Sequence, residues 1–336
     1  MRARDLGLAC GDLPTGPRNA ISDVPGVTVG HCTLSDGDIQ TGVTAIIPHQ
    51  GNIFTDKPIA AAEVLNGFGK SVGLMQIEEL GQLETPILLT NTFSVGTCAN
   101  ALIRRAIEEN PRIGRRTSTV NPVVGECNDG VLNDIQAMAI TEAHAFAALD
   151  AARADFASGA VGAGRGMSCF GFKGGIGTSS RLVPLDGALH CIGGLVLANF
   201  GRTGDLRLPD GRRVSPATPP DEERGSIMVV LATNIPLDHR QLRRVIRRAG
   251  VGLARLGSFW GNGSGDVLLG FTTANRIPHD AKTDILPLRM LAEGQIDALF
   301  QVVADVTQEA VLDALAAAET VVGRGGRSRL GLRGFV

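Results

Sequence analysis

Gly225-Ser226-Ile227-Met228-Val229-Val230-Leu231-Ala232 joins two kinds of chain. A polar, proline-rich stretch, Ser215-Pro216-Ala217-Thr218-Pro219-Pro220-Asp221-Glu222-Glu223-Arg224, runs up to it. An apolar run starts directly after the Gly-Ser pair, short enough and β-branched enough to read as a buried strand. A serine between an exposed loop and a core strand is well placed to become a new N-terminus. If the bond before Ser226 breaks, one residue gains a hydroxyl nucleophile and a free α-amine that can act as its base. A simple turn before a strand also accounts for the dipeptide, so the rest of the chain has to separate the two readings.

The 336 residues, 43% of them hydrophobic, suffice for a large core. Forty-four glycines lie between apolar runs and argue for tight turns and close backbone approaches rather than disorder. A net charge of -2 gives no reason to expect nucleic acid or an anionic membrane as partner. The local exception, Arg240, Arg243, Arg244, Arg247 and Arg248, has the spacing of a solvated helix face or, less simply, a subunit contact. Six scattered cysteines without a CxxC pair read as small buried groups in a reducing compartment. With no signal-peptide pattern at Met1-Arg2-Ala3-Arg4-Asp5 and no run of membrane-spanning length, a soluble cytoplasmic protein is the expectation.

Working outward from the junction, Leu189 to Phe200 reads as a strand before it and Ile227 to Thr233 as one after it. The stretch 201–225 between them reads as an exposed linker. Further strands are expected at 27–33, 43–48, 86–91, 122–126 and 267–273. Helical patterns cover 59–65, 99–109, 135–155, 241–256, 286–301 and 308–322, and the Gly/Arg-rich tail 323–333 is expected to pack poorly. Strands on both sides of the junction argue for one domain, 1–336, sharing one sheet system.

Other chemistries find little support. Gly159-Ala160-Val161-Gly162-Ala163-Gly164-Arg165-Gly166 is glycine-rich but has no GK[ST] and no clear strand-turn-helix frame. The six histidines are far apart and form no HExxH, so no metal or cofactor is expected. No G-x-S-x-G elbow nominates a triad serine. Glu126 ends an apolar strand and could bind a substrate ammonium or satisfy loop amides. Asn199 closes a strand and could donate to an oxyanion or start a turn. Ser264 and Asp266, on the turn Gly261-Asn262-Gly263-Ser264-Gly265-Asp266, could orient Ser226 or form an ordinary Asx-type turn.

Seven segments together resemble the L-aminopeptidase/D-esterase/D-amidase family, which includes the β-peptidyl aminopeptidases. They are 19–31, Asn66-Gly67-Phe68-Gly69, 88–96, Val123-Val124-Gly125-Glu126-Cys127-Asn128-Asp129-Gly130, 174–181, Gly225-Ser226-Ile227 and Asn262-Gly263-Ser264-Gly265-Asp266. The resemblance implies an α/β fold, an αββα sandwich, made as one precursor that cleaves itself before a nucleophilic serine. On this chain the cut is Gly225-Ser226, giving pieces 1–225 and 226–336, with Ser226 the nucleophile. It further implies Asn199 as oxyanion donor, Ser264 and Asp266 as hydrogen-bonding partners and Glu126 as the amine-binding acid. The implied substrates are short peptides, amino acid amides or esters, and the implied assembly is a homo-oligomer, a tetramer of cleaved pairs. Some members have glutamate where this chain has Asp266, and some use an active-site tyrosine, a residue type this chain lacks. An acyltransferase of related fold, or a non-catalytic assembly retaining the fold, are the alternative readings.

Overall fold

The structure, a computed structural model, describes residues 1–216 and 225–336, so most of the proline-rich stretch, 217–224, lies outside the described residues. In chain order the elements are β1 (Thr28–Asp36), β2 (Ile39–Ile47), β3 (Asp56–Gly67), α1 (Leu74–Leu80), β4 (Ile87–Asn91), α2 (Val95–Glu109), β5 (Val123–Cys127) and α3 (Glu142–Asp150). There follow β6 (Ser168–Cys169), β7 (Phe172–Lys173), β8 (Gly175–Leu185) and β9 (Ala188–Asn199). From Ser226 onward come β10 (Ser226–Thr233), α4 (His239–Ile246), α5 (Ala249–Arg255), β11 (Gly265–Pro278), α6 (Ile296–Ala317), β12 (Val321–Val322) and β13 (Ser328–Arg329).

Two sheets stack between helical layers, the expected αββα sandwich. One sheet runs β1-β2-β4-β5 and the other β3-β11-β10-β9-β8. Strand alternation builds the layers. In β10, Met228 and Val230 join Leu195, Leu197 and Leu269 against Ile46, Ile87, Leu89 and Val123 of the first sheet. Ile227, Val229 and Leu231 point the other way, into Leu242, Val245, Ile246, Leu253, Val303 and Val306 of α4–α6. On the far side of the first sheet, Val43, Ala45, Leu88 and Val124 pack on Leu102, Ala145 and Leu149 of α2 and α3. Every residue of β10 is buried. Each such Val, Leu or Ile contributes about 1.5–3 kcal/mol, so the strand that begins at Ser226 is fixed from both faces.

Several expectations need correction. Residues 59–65 form part of β3 rather than a helix: Ala60, Ala61 and Ala62 pair with Phe271, Gly270 and Leu269, and sheet pairing overrides alanine's helix propensity. The helix expected over 135–155 is only Glu142–Asp150, and the one over 241–256 is two, α4 and α5. The two helices expected over 286–301 and 308–322 are the single α6. The tail forms the β12–β13 hairpin, and Leu332 is fully buried. Within the supposed linker, Leu206, Leu208 and Val214 belong to the core, so its described part, 201–216, is packed. The arginine face of α4–α5 carries ion pairs, Arg243 and Arg247 to Glu63 at 2.8 Å each and Arg240 to Glu293 at 2.9 Å.

Candidate active site

Ser226 opens β10, and its neighbours bring the other candidates to it. It stands opposite Asn199 in the antiparallel pairing with β9 and opposite Gly265 in the parallel pairing with β11. Ser264 and Asp266 flank Gly265, so Gly225, Ser226, Asn199, Ser264 and Asp266 converge at one end of three adjacent strands. The Gly265 N–H faces two oxygens, the Gly225 carbonyl at 3.2 Å and the Ser226 hydroxyl at 3.3 Å. A single donor therefore meets both the carbonyl before Ser226 and the hydroxyl of Ser226 itself.

The glycines here are required by close approach. A Cβ on Gly225 would lie 2.0 Å from the Asn199 carbonyl oxygen, and one on Gly265 would lie 2.7 Å from that of Phe68. Gly225 is not in the left-handed region, so the position demands glycine for the space and not for its backbone angles.

The remaining side chains are held by specific partners. The Ser264 hydroxyl donates to Asp266 Oδ1 at 2.9 Å, and both residues are fully buried. Alternation along β11 puts these two side chains on the helix-facing side of the sheet with Leu268, whereas Ser226 shares the Met228 side. Asn199 accepts from the Ser168 N–H at 2.8 Å and donates through Nδ2 to the Asn128 carbonyl at 3.0 Å. An amide nitrogen has two hydrogens, so this pairing fixes the side chain and leaves a second N–H direction. Glu126, at the end of β5, is buried; its Oε1 accepts from the Lys70 N–H at 2.8 Å, and its Oε2 accepts from the Thr92 hydroxyl. Gly69 links Glu126 to the strand ends: a Cβ there would lie 3.5 Å from Glu126 Oε1 and 3.9 Å from the Gly265 Cα. The carboxylate thus satisfies a loop amide, as one sequence reading had it, and Gly69 stands between it and Gly265. Burial, with the Glu126 charge beside it, pushes the Cys127 thiol well above its ordinary range, so this cysteine is an apolar packing group and not a competing nucleophile.

A cleft of about 740 Å³ opens at this point, lined by Asn199, Gly225, Ser168, Asn128, Phe93 and others. A smaller cavity of about 190 Å³, lined by His49, Glu84, Leu102 and Arg105, contains none of the candidate residues. The Gly265 and Lys70 N–H groups, Thr92, Asn128 and Ser168 were not singled out from the sequence. Main-chain donors carry no sequence signal, though Lys70 directly follows the quoted Asn66–Gly69 segment and Thr92 falls inside 88–96.

The chain is similar to known proteins along nearly its whole length. The profile of peptidase family S58 matches residues 19–329. The beta-peptidyl aminopeptidase BapA of Sphingosinicella microcystinivorans is 35% identical over 353 residues, covering 97% of this chain and 88% of that protein. The PH0078 protein of Pyrococcus horikoshii OT3 superposes with a TM-score of 0.92 at 44% identity, covering 99% of this chain and 96% of that one. The L-aminopeptidase D-Ala-esterase/amidase of Ochrobactrum anthropi, described as a variant of the Ntn hydrolase fold, gives 0.90 at 37% identity over 98% and 95%. Matched along nearly its whole length in sequence and in architecture, the chain shares the Ntn hydrolase fold and belongs to peptidase family S58.

Proposed function

We propose that this chain cuts itself between Gly225 and Ser226, into 1–225 and 226–336, and then works as a serine aminopeptidase and amidase. The observation that carries this reading is the Gly265 N–H, which meets the Gly225 carbonyl oxygen and the Ser226 hydroxyl together. In the self-cleavage step the Ser226 hydroxyl attacks the Gly225 carbonyl carbon, and Gly265 N–H stabilises the oxyanion. The amide nitrogen takes up a proton and leaves as the α-amine of Ser226, with glycine now held as an ester. Water hydrolyses the ester to the Gly225 carboxylate and a free Ser226 hydroxyl.

In the mature enzyme Glu126 holds the ammonium of the substrate, which restricts cleavage to the bond after the first residue. The Ser226 α-amine takes the hydroxyl proton as the serine attacks. Asn199 Nδ2 donates to the oxyanion, a contribution of about 10²–10³ in rate for one donor. Ser264 and Asp266 act as a buried pair that orients the α-amine from the opposite face. Protonation releases the leaving amine, and water hydrolyses the acyl-enzyme. None of these steps calls for a metal or an organic cofactor. The names of the relatives point to peptides, amino acid amides and esters with a free amino end, and we extend that class to this chain. We also propose a homo-oligomer, a tetramer of cleaved pairs, tested by light scattering of the purified protein.

Intact mass of the purified protein, beside Ser226→Ala, tests the central claim. Two fragments, one ending at Gly225 and one starting at Ser226, are expected in the wild type and absent in the variant. A Ser226→Ala protein that still cuts itself and hydrolyses aminoacyl amides would sink the scheme.

A further inference from the structure

The smaller cavity, about 190 Å³, lies at the other end of β4 from the candidate site. Glu84, Thr85 and Pro86 lead into β4 and line the cavity, whereas Asn91 closes the strand beside Thr92, the partner of Glu126. Ile53, Phe54, Leu102 and Leu149, all buried, give it an apolar floor. Gln50, Gly51 and Glu109, all exposed, form its mouth. One wall carries a buried carboxylate, Glu84, only 6% exposed. Its Oε2 accepts from the Asn121 N–H at 2.8 Å. Among the described residues its Oε1 accepts nothing, and neither oxygen has an ion-pair partner. Buried carboxylates are ordinarily paired or fully hydrogen-bonded. The neighbours do not supply the missing cation. His49 Nδ1 accepts from the Gly51 N–H at 3.0 Å, so that ring is neutral, and its Nε2 faces the Asp56 carbonyl at 2.9 Å. Arg105 turns to Asp150 at 2.9 Å and stacks on the Phe146 ring. Burial pushes the Lys57 amine down, with the Glu84 charge only partly opposing it, and its Nζ faces His279 Nδ1 at 2.9 Å.

We propose that this cavity binds a small primary ammonium ion carried on a branched aliphatic body. The ammonium donates to Glu84 Oε1, a charge-assisted hydrogen bond, and the body lies on Ile53, Phe54 and Leu102. The size agrees. A cavity of about 150 Å³ takes up benzene, so one of about 190 Å³ holds a ligand of about six to nine non-hydrogen atoms. A simple alkylamine and a free aliphatic amino acid share this chemistry. Arg105, on the α2 wall of the cavity, offers a guanidinium to the carboxylate that only the amino acid has. An amino acid here is also the class of product that the proposed reaction releases, held apart from the nucleophile by the length of β4.

Glu84 and Glu126 are both carboxylates able to take an ammonium, so the test separates them. Isothermal titration calorimetry at neutral pH follows binding of isopentylamine, leucine and the uncharged isopentyl alcohol to the wild-type protein. Isopentylamine is expected to bind saturably, and the alcohol about tenfold or more weakly, as loss of a hydrogen bond to a charged group implies. In Glu84→Gln, which keeps an acceptor for the Asn121 N–H, the amine should fall to the affinity of the alcohol. In Glu126→Gln it should keep its wild-type affinity. Leucine binding more tightly than isopentylamine, with the difference removed in Arg105→Gln, assigns the amino acid; the reverse order, unchanged in Arg105→Gln, assigns the simple amine. Equal affinity for amine and alcohol, no saturable binding of any of the three, or amine binding that survives Glu84→Gln and disappears in Glu126→Gln would overturn the proposal. Should Glu84→Gln not fold, the alcohol comparison and Glu126→Gln still decide the matter. None of these measurements reads turnover, so this site and the aminopeptidase reading stand or fall separately.

Discussion

Replacing Gly265 by alanine separates the shared main-chain donor from everything else at the junction. The new Cβ would lie 2.7 Å from the Phe68 carbonyl oxygen and 3.1 Å from the Gly69 Cα. Both are backbone atoms that cannot swing aside. Phe68 is itself tied to the turn, its N–H donating to the Ser264 carbonyl at 3.3 Å, so the start of β11 has to give way. Its contacts to Gly225 and Ser226 already stand at 3.2 and 3.3 Å, and a shift of a few tenths of an ångström takes them out of hydrogen-bond range. Loss of one such donor costs about 3–4 kcal/mol of transition-state stabilisation, or about 10²–10³ in rate. The overpacking itself costs the fold about 1–3 kcal/mol, which a domain of ordinary stability survives. Maturation would be followed by intact mass after pulse labelling during expression, with near-UV circular dichroism as the check on packing. The expected result is a folded Gly265→Ala protein that cuts itself at least a hundredfold more slowly, with Ser226 untouched. A folded variant that matures at the wild-type rate would refute the assignment of Gly265 N–H as the oxyanion donor.

Three other outcomes follow from the same geometry. Asn199→Ala is expected to slow peptide hydrolysis by about 10²–10³ but to affect self-cleavage less, because the Asn199 amide faces Asn128 and Ser168 while Gly265 serves the Gly225 carbonyl; steady-state kinetics beside intact mass reads both. Lys173 donates from Nζ to the carbonyls of Gly164, Met167 and Gly174 at 2.9, 2.6 and 2.8 Å from full burial, so Lys173→Met, which takes the donor from these acceptors, should cost about 1–3 kcal/mol in urea unfolding. Burial pushes the Asp129 carboxyl up to about 6 and the His31 imidazole down to about 4. Each displacement is worth about 3 kcal/mol, with opposite signs: Asp129 favours the fold below pH 4 and loses that as pH rises through 6, whereas His31 favours it above pH 6.5 and loses that as pH falls toward 4. In a Ser226→Ala background Asp129→Asn should make stability climb more steeply between pH 4 and 6, and His31→Gln should make it fall across the same window; unchanged slopes in unfolding titrations would contradict both.

The parts legible in the sequence are those where local pattern and tertiary role agree. The strand after Ser226 is apolar on both faces because it is central and covered twice, and it reads as buried without help. Residues 59–65 mislead because alanines suit a helix, yet here their small size lets β3 pair with β11 under α4. The interior of α6 misleads for the opposite reason. The expected break at 302–307 carries Asp305 and Thr307, yet both are buried there, as are Glu309 against Arg181 and Arg4 and Asp313 against Arg2. Strand β8 begins Gly175-Ile176-Gly177-Thr178-Ser179-Ser180 and resembles a loop; Gly177 is there because α6 presses on it, with the Ala310 carbonyl 2.0 Å from where a Cβ would be. At the site, side chains of chemical character, Ser226, Asn199, Asp266 and Glu126, stand out as candidates from the sequence. The donors that meet Gly225 and Ser226, and one of the two that meet Glu126, come from the main chain of Gly265 and Lys70, which no residue type announces.

The strand order β3-β11-β10-β9-β8 has a consequence for any chain severed before Ser226. The smaller piece supplies β10 and β11, and the larger supplies the strands on either side of them. Cutting frees no module: the pieces stay interleaved through ladders on both edges of the β10–β11 pair. Refolding after full denaturation is then a second-order reaction between two polypeptides, slowed by dilution and open to mispartnering. The uncut Ser226→Ala chain refolds as one molecule at any concentration. The precursor bond would thus encode the route to the native state, and the mature protein would hold a structure it can no longer readily rebuild alone.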